Sequence, residues 1–221
     1  MARRQFDIYK ETRFLTSPRT YALELARALA DCDTLLDIGC GSCSPLRFLR
    51  CSRLVGVDIY QDDLDRAKTA QTHDEFIKAD ARCLRRYFQE NSFDACVALD
   101  LIEHLPKNDG LAFLKDLEYI AKRKVVISTP NGFLRQSSRT AGDSQEHLSG
   151  WTPQEMRDLG YRVIGIIGLR HLRTEHHRLR FSPEPLWAVV SWLTQHLACR
   201  YCPTMAAAIL CIKDLHKPDI Q

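Results

Sequence analysis

Four aspartates, Asp37, Asp58, Asp80 and Asp100, each close a short apolar run. A carboxylate in such a place can accept hydrogen bonds from a ligand's hydroxyls, amines or amino groups. Asp37 leads into Gly39, Cys40 and Gly41, and glycines let a loop pass close to a ligand with no side chain between. A helix start after such a loop ordinarily attracts phosphate. Asp37, just ahead of it, would repel an anion. Asp58 follows Asp37 by 21 residues, where an acid can hold ribose hydroxyls in a nucleotide-binding fold. Together these residues ask for a nucleoside with an amine-bearing or positively charged end and no pyrophosphate. A dinucleotide fingerprint would need a third glycine where Ser44 stands, and the Tyr-x-x-x-Lys pair of short-chain reductases occurs nowhere in the chain.

A second group of residues can move protons. Glu103 and His104 follow Asp100 closely, and His147 lies in Gln145-Glu146-His147-Leu148-Ser149-Gly150-Trp151. Histidine titrates near neutral pH, which suits a general base. Glu103 is also the acid expected at a helix start, where it complements the dipole. The most basic stretch is Arg170–Arg180 (RHLRTEHHRLR), with four arginines, three histidines and one glutamate. It reads either as a solvated loop or as a site for a phosphate, carboxylate or acidic glycan. Cys40–Cys43 and Cys199–Cys202 are both Cys-x-x-Cys pairs. Four thiolates could hold zinc, but the first pair occupies the glycine loop, so no metal is expected.

The elements that must position these groups follow from alternating apolar runs and punctuation. Helical spacing places Tyr21, Leu25, Ala28 and Leu29 on one face of 21–30. Strands are expected at 34–38, 54–57, 76–79, 93–99, 124–129, 161–169 and 206–213. Ser44 before Pro45 reads as a helix cap, and Thr152-Pro153-Gln154-Glu155 as a capping box. Helices are expected at 62–71, 82–89, 111–121 and, after Ser182-Pro183, along Leu186, Val189, Val190, Leu193 and Leu197. That last stripe, with Trp187 and Trp192 beside it, reads first as a core face; a lid, a dimer surface or a membrane-resting helix are the other readings. The alternation predicts a doubly wound, mostly parallel seven-stranded α/β sheet with helices on both faces. One domain spans 1–221, with a cofactor-binding core at 21–133 and substrate-side additions at 134–150 and 170–205. The four acids then share the carboxyl rim of the sheet, where such folds bind ligands.

Composition sets the frame. The chain has 221 residues, 45% hydrophobic and 27% charged, enough for a sizeable core and too ordinary for a disordered or fibrous chain. A net charge of +3 is too small to argue for nucleic acid by itself. Arg3, Arg4, Lys10, Arg13 and Arg19 precede no apolar h-region, and the longest apolar stretch, 186–193, falls well short of the ~20 residues that span a bilayer. The expectation is a cytoplasmic protein, monomer or homodimer, whose nine cysteines stay reduced, most of them as small buried hydrophobes.

The ordered segments LLDIGCGS (35–42), VGVDIY (55–60), KADA (78–81), FDACVALDLIEHL (93–105) and VVISTPNG (125–132) resemble the class I S-adenosylmethionine-dependent methyltransferases. The resemblance covers about 21–170, and AILCIKDL (208–215) fits the family's last strand. It implies S-adenosyl-L-methionine as cofactor and S-adenosyl-L-homocysteine as product. Gly39, Cys40 and Gly41 would pass the methionine part, with Asp37 positioning that loop. Asp58 would hold the ribose, Ile59 would pack on adenine, and Asp80 would accept from the adenine amino group beside the backbone of Ala81. Leu99 and Asp100 would lie near the methionine amine and sulfonium. Cys43 stands where many members have glycine, which bears on the loop's shape. His104, His147 and Glu103 are then the candidate general bases.

The family's Asn/Asp-Pro-Pro-aromatic signature of nucleic-acid amino methylation is replaced here by Leu99-Asp100-Leu101-Ile102-Glu103. The Pro-Cys nucleophile of cytosine C5 enzymes and the paired-glutamate loop of arginine methyltransferases are also missing. O-methylation of a small-molecule or saccharide hydroxyl is the leading expectation. The alternatives are RNA or protein methylation through the basic segment, and a non-catalytic binding protein of the same fold.

Overall fold

The computed structural model describes residues 18–134, 146–174 and 179–215. Arg3, Arg4, Lys10, Arg13 and Arg178, named above, lie outside the described residues, as do most of the 134–150 loop and the side chain of Arg19.

Seven strands form one sheet: β1 (Thr34–Ile38), β2 (Arg53–Asp58), β3 (Glu75–Lys78), β4 (Phe93–Leu99), β5 (Ala121–Pro130), β6 (Arg162–Leu169) and β7 (Ala206–Asp214). Their order is β3-β2-β1-β4-β5-β7-β6. All neighbours run parallel except β7, which inserts antiparallel between β5 and β6, pairing Lys124 with Asp214 and Pro130 with Ala208. Among the described residues the α-helices are α1 (Pro18–Ala28), α2 (Gln61–Thr69), α3 (Lys107–Ile120), α4 (Pro153–Asp158) and α5 (Glu184–Thr194).

Side-chain alternation sorts each strand between two cores. Leu36 and Ile38 of β1, Cys96 and Ala98 of β4, and Ile209 and Cys211 of β7 meet Phe113, Leu117, Trp151 and Met156 on one face. Leu35, Ala95, Val97, Ala208 and Leu210 meet Leu25 and Leu29 of α1 on the other. Burial on both faces is why these strands read as continuous apolar runs. The Thr152 box forms as expected: its hydroxyl accepts from the N–H of Glu155, and the Glu155 carboxylate accepts from the N–H of Thr152.

Two expected helices are shorter and tighter. Ser44 does cap the segment after the glycine loop, but only a 3₁₀ turn, Pro45–Phe48, follows. The expected helix at 82–89 is a 3₁₀ segment, Ala81–Arg86, capped by Asp80 and broken at Cys83. The chain turns there to bury Phe88, whose ring meets Phe93 edge-on at 5.7 Å. Five cysteines (32, 40, 96, 199 and 211) are buried, and all nine are free thiols.

Strand order reverses beside β1, because β1 is flanked by β2 on one side and β4 on the other. Chain connections diverge from that point and leave a crevice at the carboxyl ends of β1 and β4. Asp37, Asp58, Asp80 and Asp100 all arrive at this rim.

Candidate active site

The glycine loop is folded onto β2. Gly39 and Cys40 both donate N–H to Val57 O, at 2.8 and 3.1 Å. Gly39 has φ +72°, which an L side chain rarely adopts, and a Cβ there would meet Leu101 Cδ1 at 3.0 Å. Asp58 closes the loop from the other strand: one carboxylate oxygen accepts from Gly41 N–H and the other from Tyr60 N–H, each at 2.9 Å. Asp37 lies beneath, its Oδ2 3.1 Å from His73 Nε2, while His73 Nδ1 sits 2.8 Å from Thr72 Oγ1. Both the Asp37 and His73 side chains are buried. Gly56 makes room for this pair, since a Cβ there would lie 2.9 Å from Cys40 Sγ and 3.0 Å from the His73 ring. Asp37 is thus paired with His73 beneath the loop, not with the loop itself.

A cavity of about 380 Å³ opens at this rim, within the usual range for small-molecule sites. Gly39, Asp58, Ile59, Asp80, Ala81 and His104 line it, together with Leu101, Leu105 and Leu148. Asp37, Cys40, Gly41, Leu99 and Asp100 lie outside its lining. Ile59 and Tyr60 are each 46% exposed, an apolar shelf waiting for a flat partner. Asp80 is engaged by Arg82 through both the side chain and the backbone N–H, and Arg82 holds its carboxyl below the usual range.

At the end of β4 the backbone turns sharply, with Asp100 at φ +51°. Aspartate tolerates this left-handed conformation better than most residues. The turn is pinned to β5: Asp100 N–H donates to Ser128 O at 2.9 Å, and Ser128 Oγ donates to Asp100 Oδ1 at 3.0 Å. Tyr21 of α1 reaches the same Ser128 Oγ at 2.9 Å. With its one proton given to Asp100, Ser128 accepts from Tyr21. Burial and the Asp100 charge push the Tyr21 phenol well above its ordinary range, so it stays a neutral donor.

Glu103, His104 and His147 come together here. Glu103 is 2% exposed and accepts from Thr129 Oγ1 at 3.0 Å. Burial, with the Asp100 charge added, pushes its carboxyl up to about 8. Burial lowers His104 below the ordinary imidazole value. The His104 and His147 rings meet edge to face with centroids 5.0 Å apart. Leu148 and Ser149 donate N–H to Glu103 O at 2.8 and 3.0 Å, clamping the His147 segment to the turn after β4.

A second cavity, about 450 Å³, is lined by Asn131, Leu134, Arg170, His171, Arg173 and Arg180, among others. Arg170, His171, Arg173 and Arg180 thus stand beside Pro130 and Asn131 at the end of β5. Arg170 and Arg180 are exposed, whereas Arg173 is tied to Ile167 O and Ser191 Oγ at 3.0 and 2.7 Å. The two cavities flank the histidine pair. His104 lines the first, and His147 Nδ1 donates at 2.7 Å to the carbonyl of Leu134, which lines the second.

Tyr21, His73, Ser128 and Thr129 do not stand out in the sequence. His73 and Thr129 follow no recognisable spacing from the groups they serve. Ser128 and Thr129 are hydroxyl residues at the end of an otherwise apolar strand, a pattern too common to mark a site by itself.

The strand order, with the glycine loop at its reversal point, is that of a doubly wound ligand-binding sheet. The sequence model of a methyltransferase domain matches residues 36–127. Solved structures share the fold. The methyltransferase domain of bacterial CtHen1 aligns over 90% of this chain and 99% of its own, with TM-score 0.57 and 19% identity. A SAM-dependent methyltransferase from Archaeoglobus fulgidus aligns over 90% and 95%, with TM-score 0.54 and 18% identity. The N-methyltransferase NodS of Bradyrhizobium japonicum, in complex with S-adenosyl-L-homocysteine, aligns over 90% and 87%, with TM-score 0.59 and 12% identity. No curated protein matches the chain in sequence. The chain thus contains a methyltransferase domain and shares its fold with S-adenosylmethionine-dependent methyltransferases. Among the described residues, no helix is long and apolar enough to cross a membrane.

Proposed function

We propose that this methyltransferase acts on a hydroxyl of a small anionic acceptor, a metabolite or a saccharide. The observation that carries the reading is the pair of cavities on either side of His104 and His147. One is largely apolar with the carboxylates of Asp58 and Asp80; the other is rimmed by arginines.

When bound, S-adenosyl-L-methionine supplies a sulfonium methyl for in-line transfer to the acceptor, leaving S-adenosyl-L-homocysteine. The first cavity fits its nucleoside. Asp58, held rigid by two backbone N–H groups, keeps outer lone pairs for the ribose hydroxyls. Ile59 packs on adenine, and Ala81 N–H and Asp80 meet its edge. Gly39, Cys40 and Gly41 pass the methionine part, with the Asp37–His73 pair beneath the loop. Leu99 and Asp100 face the amine and sulfonium, and the Tyr21–Ser128–Asp100 chain holds that carboxylate in place.

The acceptor's anionic group sits among Arg170, Arg180 and His171. Its hydroxyl reaches the histidine pair, where His104 or His147 takes up the proton. Both rings donate Nδ1–H to main-chain carbonyls, so each Nε2 is a free acceptor. Glu103, buried and bonded to Thr129, sets the orientation of the turn that carries His104. The nine free thiols suit a cytoplasmic setting.

The test is transfer of labelled methyl from S-adenosylmethionine to matched hydroxyl compounds with and without a phosphate or carboxylate. The expected result is product only with the anionic member of each pair. Equal turnover of neutral and anionic members, or methyl recovered on nitrogen, would contradict the reading.

A further inference from the structure

We infer that Glu103, His104 and His147 form a site for one divalent transition-metal ion between the two cavities. One donor atom from each residue lies within 4.8 Å of the others. Three atoms so spaced have a common point within about 2.8 Å of each. Ligation at the ~2.0–2.2 Å typical of nitrogen and carboxylate donors needs only several tenths of an ångström of contraction.

The surroundings are those of ligands, not of solvated side chains. A carbonyl can only accept, so Glu146 O at 3.1 Å from His104 Nδ1 and Leu134 O at 2.7 Å from His147 Nδ1 place the ring protons on Nδ1. The lone pair of each Nε2 is then free, with no hydrogen-bond partner among the described residues. A metal-ligating histidine characteristically donates its other nitrogen to a carbonyl or carboxylate in this way. The Glu103 side chain is nearly inaccessible, and Thr129 Oγ1 donates to one of its carboxylate oxygens at 3.0 Å. Its carboxyl lies beside the two imidazoles and can offer an oxygen to an ion that binds there. His147 is 8% exposed, so two of the three donors are already withdrawn from water.

Two imidazoles and a carboxylate suit zinc, manganese or iron(II), and they leave coordination positions open. An acceptor hydroxyl bound at an open position would be polarised by the ion and would lose its proton to solvent, so that in the metal-loaded protein the ion takes the place of the histidine base. That role rests on the proposed function; the binding itself does not. The expectation of no metal rested on the cysteine pairs alone. His104 and His147 are far apart in sequence, and no ligand spacing announces them.

The test uses the full chain, stripped with a chelator, and titrated calorimetrically with Mn²⁺ alone and with Zn²⁺ alone. Mn²⁺ discriminates against the nine thiols, which prefer softer ions. The expected result is one Mn²⁺ per chain, with affinity reduced at least tenfold in His147→Ala and in His104→Gln. The circular dichroism spectrum and thermal midpoint of both variants should match wild type, which certifies the fold. A measurement free of variants accompanies it: on the wild-type chain, Mn²⁺ should broaden the imidazole signals of His104 and His147 and spare His196. Absence of Mn²⁺ and Zn²⁺ binding to the wild type, affinity unchanged in both variants, or broadening elsewhere would overturn the site. Methyl transfer that proceeds at full rate in chelated protein would overturn the ion's role and leave the proposed acceptor class standing.

Discussion

Asp58 and Asp37 are both strand-end aspartates, yet the structure gives them opposite duties. Asp58 faces the cavity with its carboxylate pinned by Gly41 and Tyr60. Asp37 faces inward to His73. Their positions were legible from apolar runs ending in acid, and the spacing singled out Asp58 for ribose. His73 was not legible, because its link to Asp37 crosses from the start of β3 to the end of β1 and leaves no periodic trace. Asp58→Ala removes the ribose acceptor and two backbone partners. Hydrogen bonds to a charged group are worth about 1.5–3 kcal/mol each. Calorimetry should therefore show S-adenosylhomocysteine binding weakened about 100-fold or more. His73→Phe should act differently. It leaves the buried Asp37 without its partner, at about 1–3 kcal/mol of stability in urea unfolding, while touching no ligand.

Elements show where pattern reading works and where it stops. The strands were legible almost to the residue: β1 and β4 match their apolar runs throughout. Periodicity also found α5, but not its orientation. Leu186, Trp192, Leu193 and Leu197 point outward, Leu197 at 77% exposure, while Ser191, Gln195 and Cys199 are buried. The reason lies in β6, an edge strand with a register shift between Ile166 and Leu169. Its free backbone groups need partners. Gln195 supplies them, donating to Gly165 O and accepting from Gly168 N–H, each at 2.7 Å. Polar demand from a strand edge overrides the apolar moment of the helix. Gln195→Leu should accordingly cost about 2 kcal/mol or more, by stranding two buried backbone groups, whereas Leu197→Lys should leave the thermal midpoint within a few degrees. A core-facing α5 would reverse that order.

The start of β1 carries its own pH signature. Asp94 accepts from the N–H groups of Asp33 and Thr34, both at 2.9 Å. Burial alone would raise its carboxyl, but the Thr34 and Asp33 N–H groups outweigh it and hold the group below its ordinary value. A folded-state value below the unfolded one stabilises the fold above the unfolded value, and the contribution is lost as pH falls through the folded one. Wild type should exceed Asp94→Asn in stability near neutral pH, and the gap should close between about pH 5 and pH 2. A gap that widens on acidification would show that the carboxylate is not held this way.

At the scale of the whole molecule, strand–helix alternation made the doubly wound sheet legible and placed the acids on one rim. The antiparallel insertion of β7 between β5 and β6 was not legible, since an apolar run records burial and not direction. The insertion matters because it sets β6 and the basic segment after it beside the end of β5. That is how Arg170 and Arg180 come to line the second cavity. Arg173 belongs to the scaffold through Ser191 and Ile167. Reversing it would unfold the segment, so the charge test belongs on its neighbours. Arg170→Glu with Arg180→Glu should raise the acceptor KM at least tenfold with S-adenosylhomocysteine affinity unchanged. Unchanged acceptor kinetics would remove the anionic site.

The placement of the transferred methyl underlies every one of these assignments. A crystal structure of the chain with S-adenosyl-L-homocysteine tests it most directly. The account predicts the adenine on Ile59, the ribose hydroxyls on Asp58, and the sulfur facing the gap between His104 and His147. A sulfur turned away from the histidine pair, or a ligand seated outside this cavity, would contradict it.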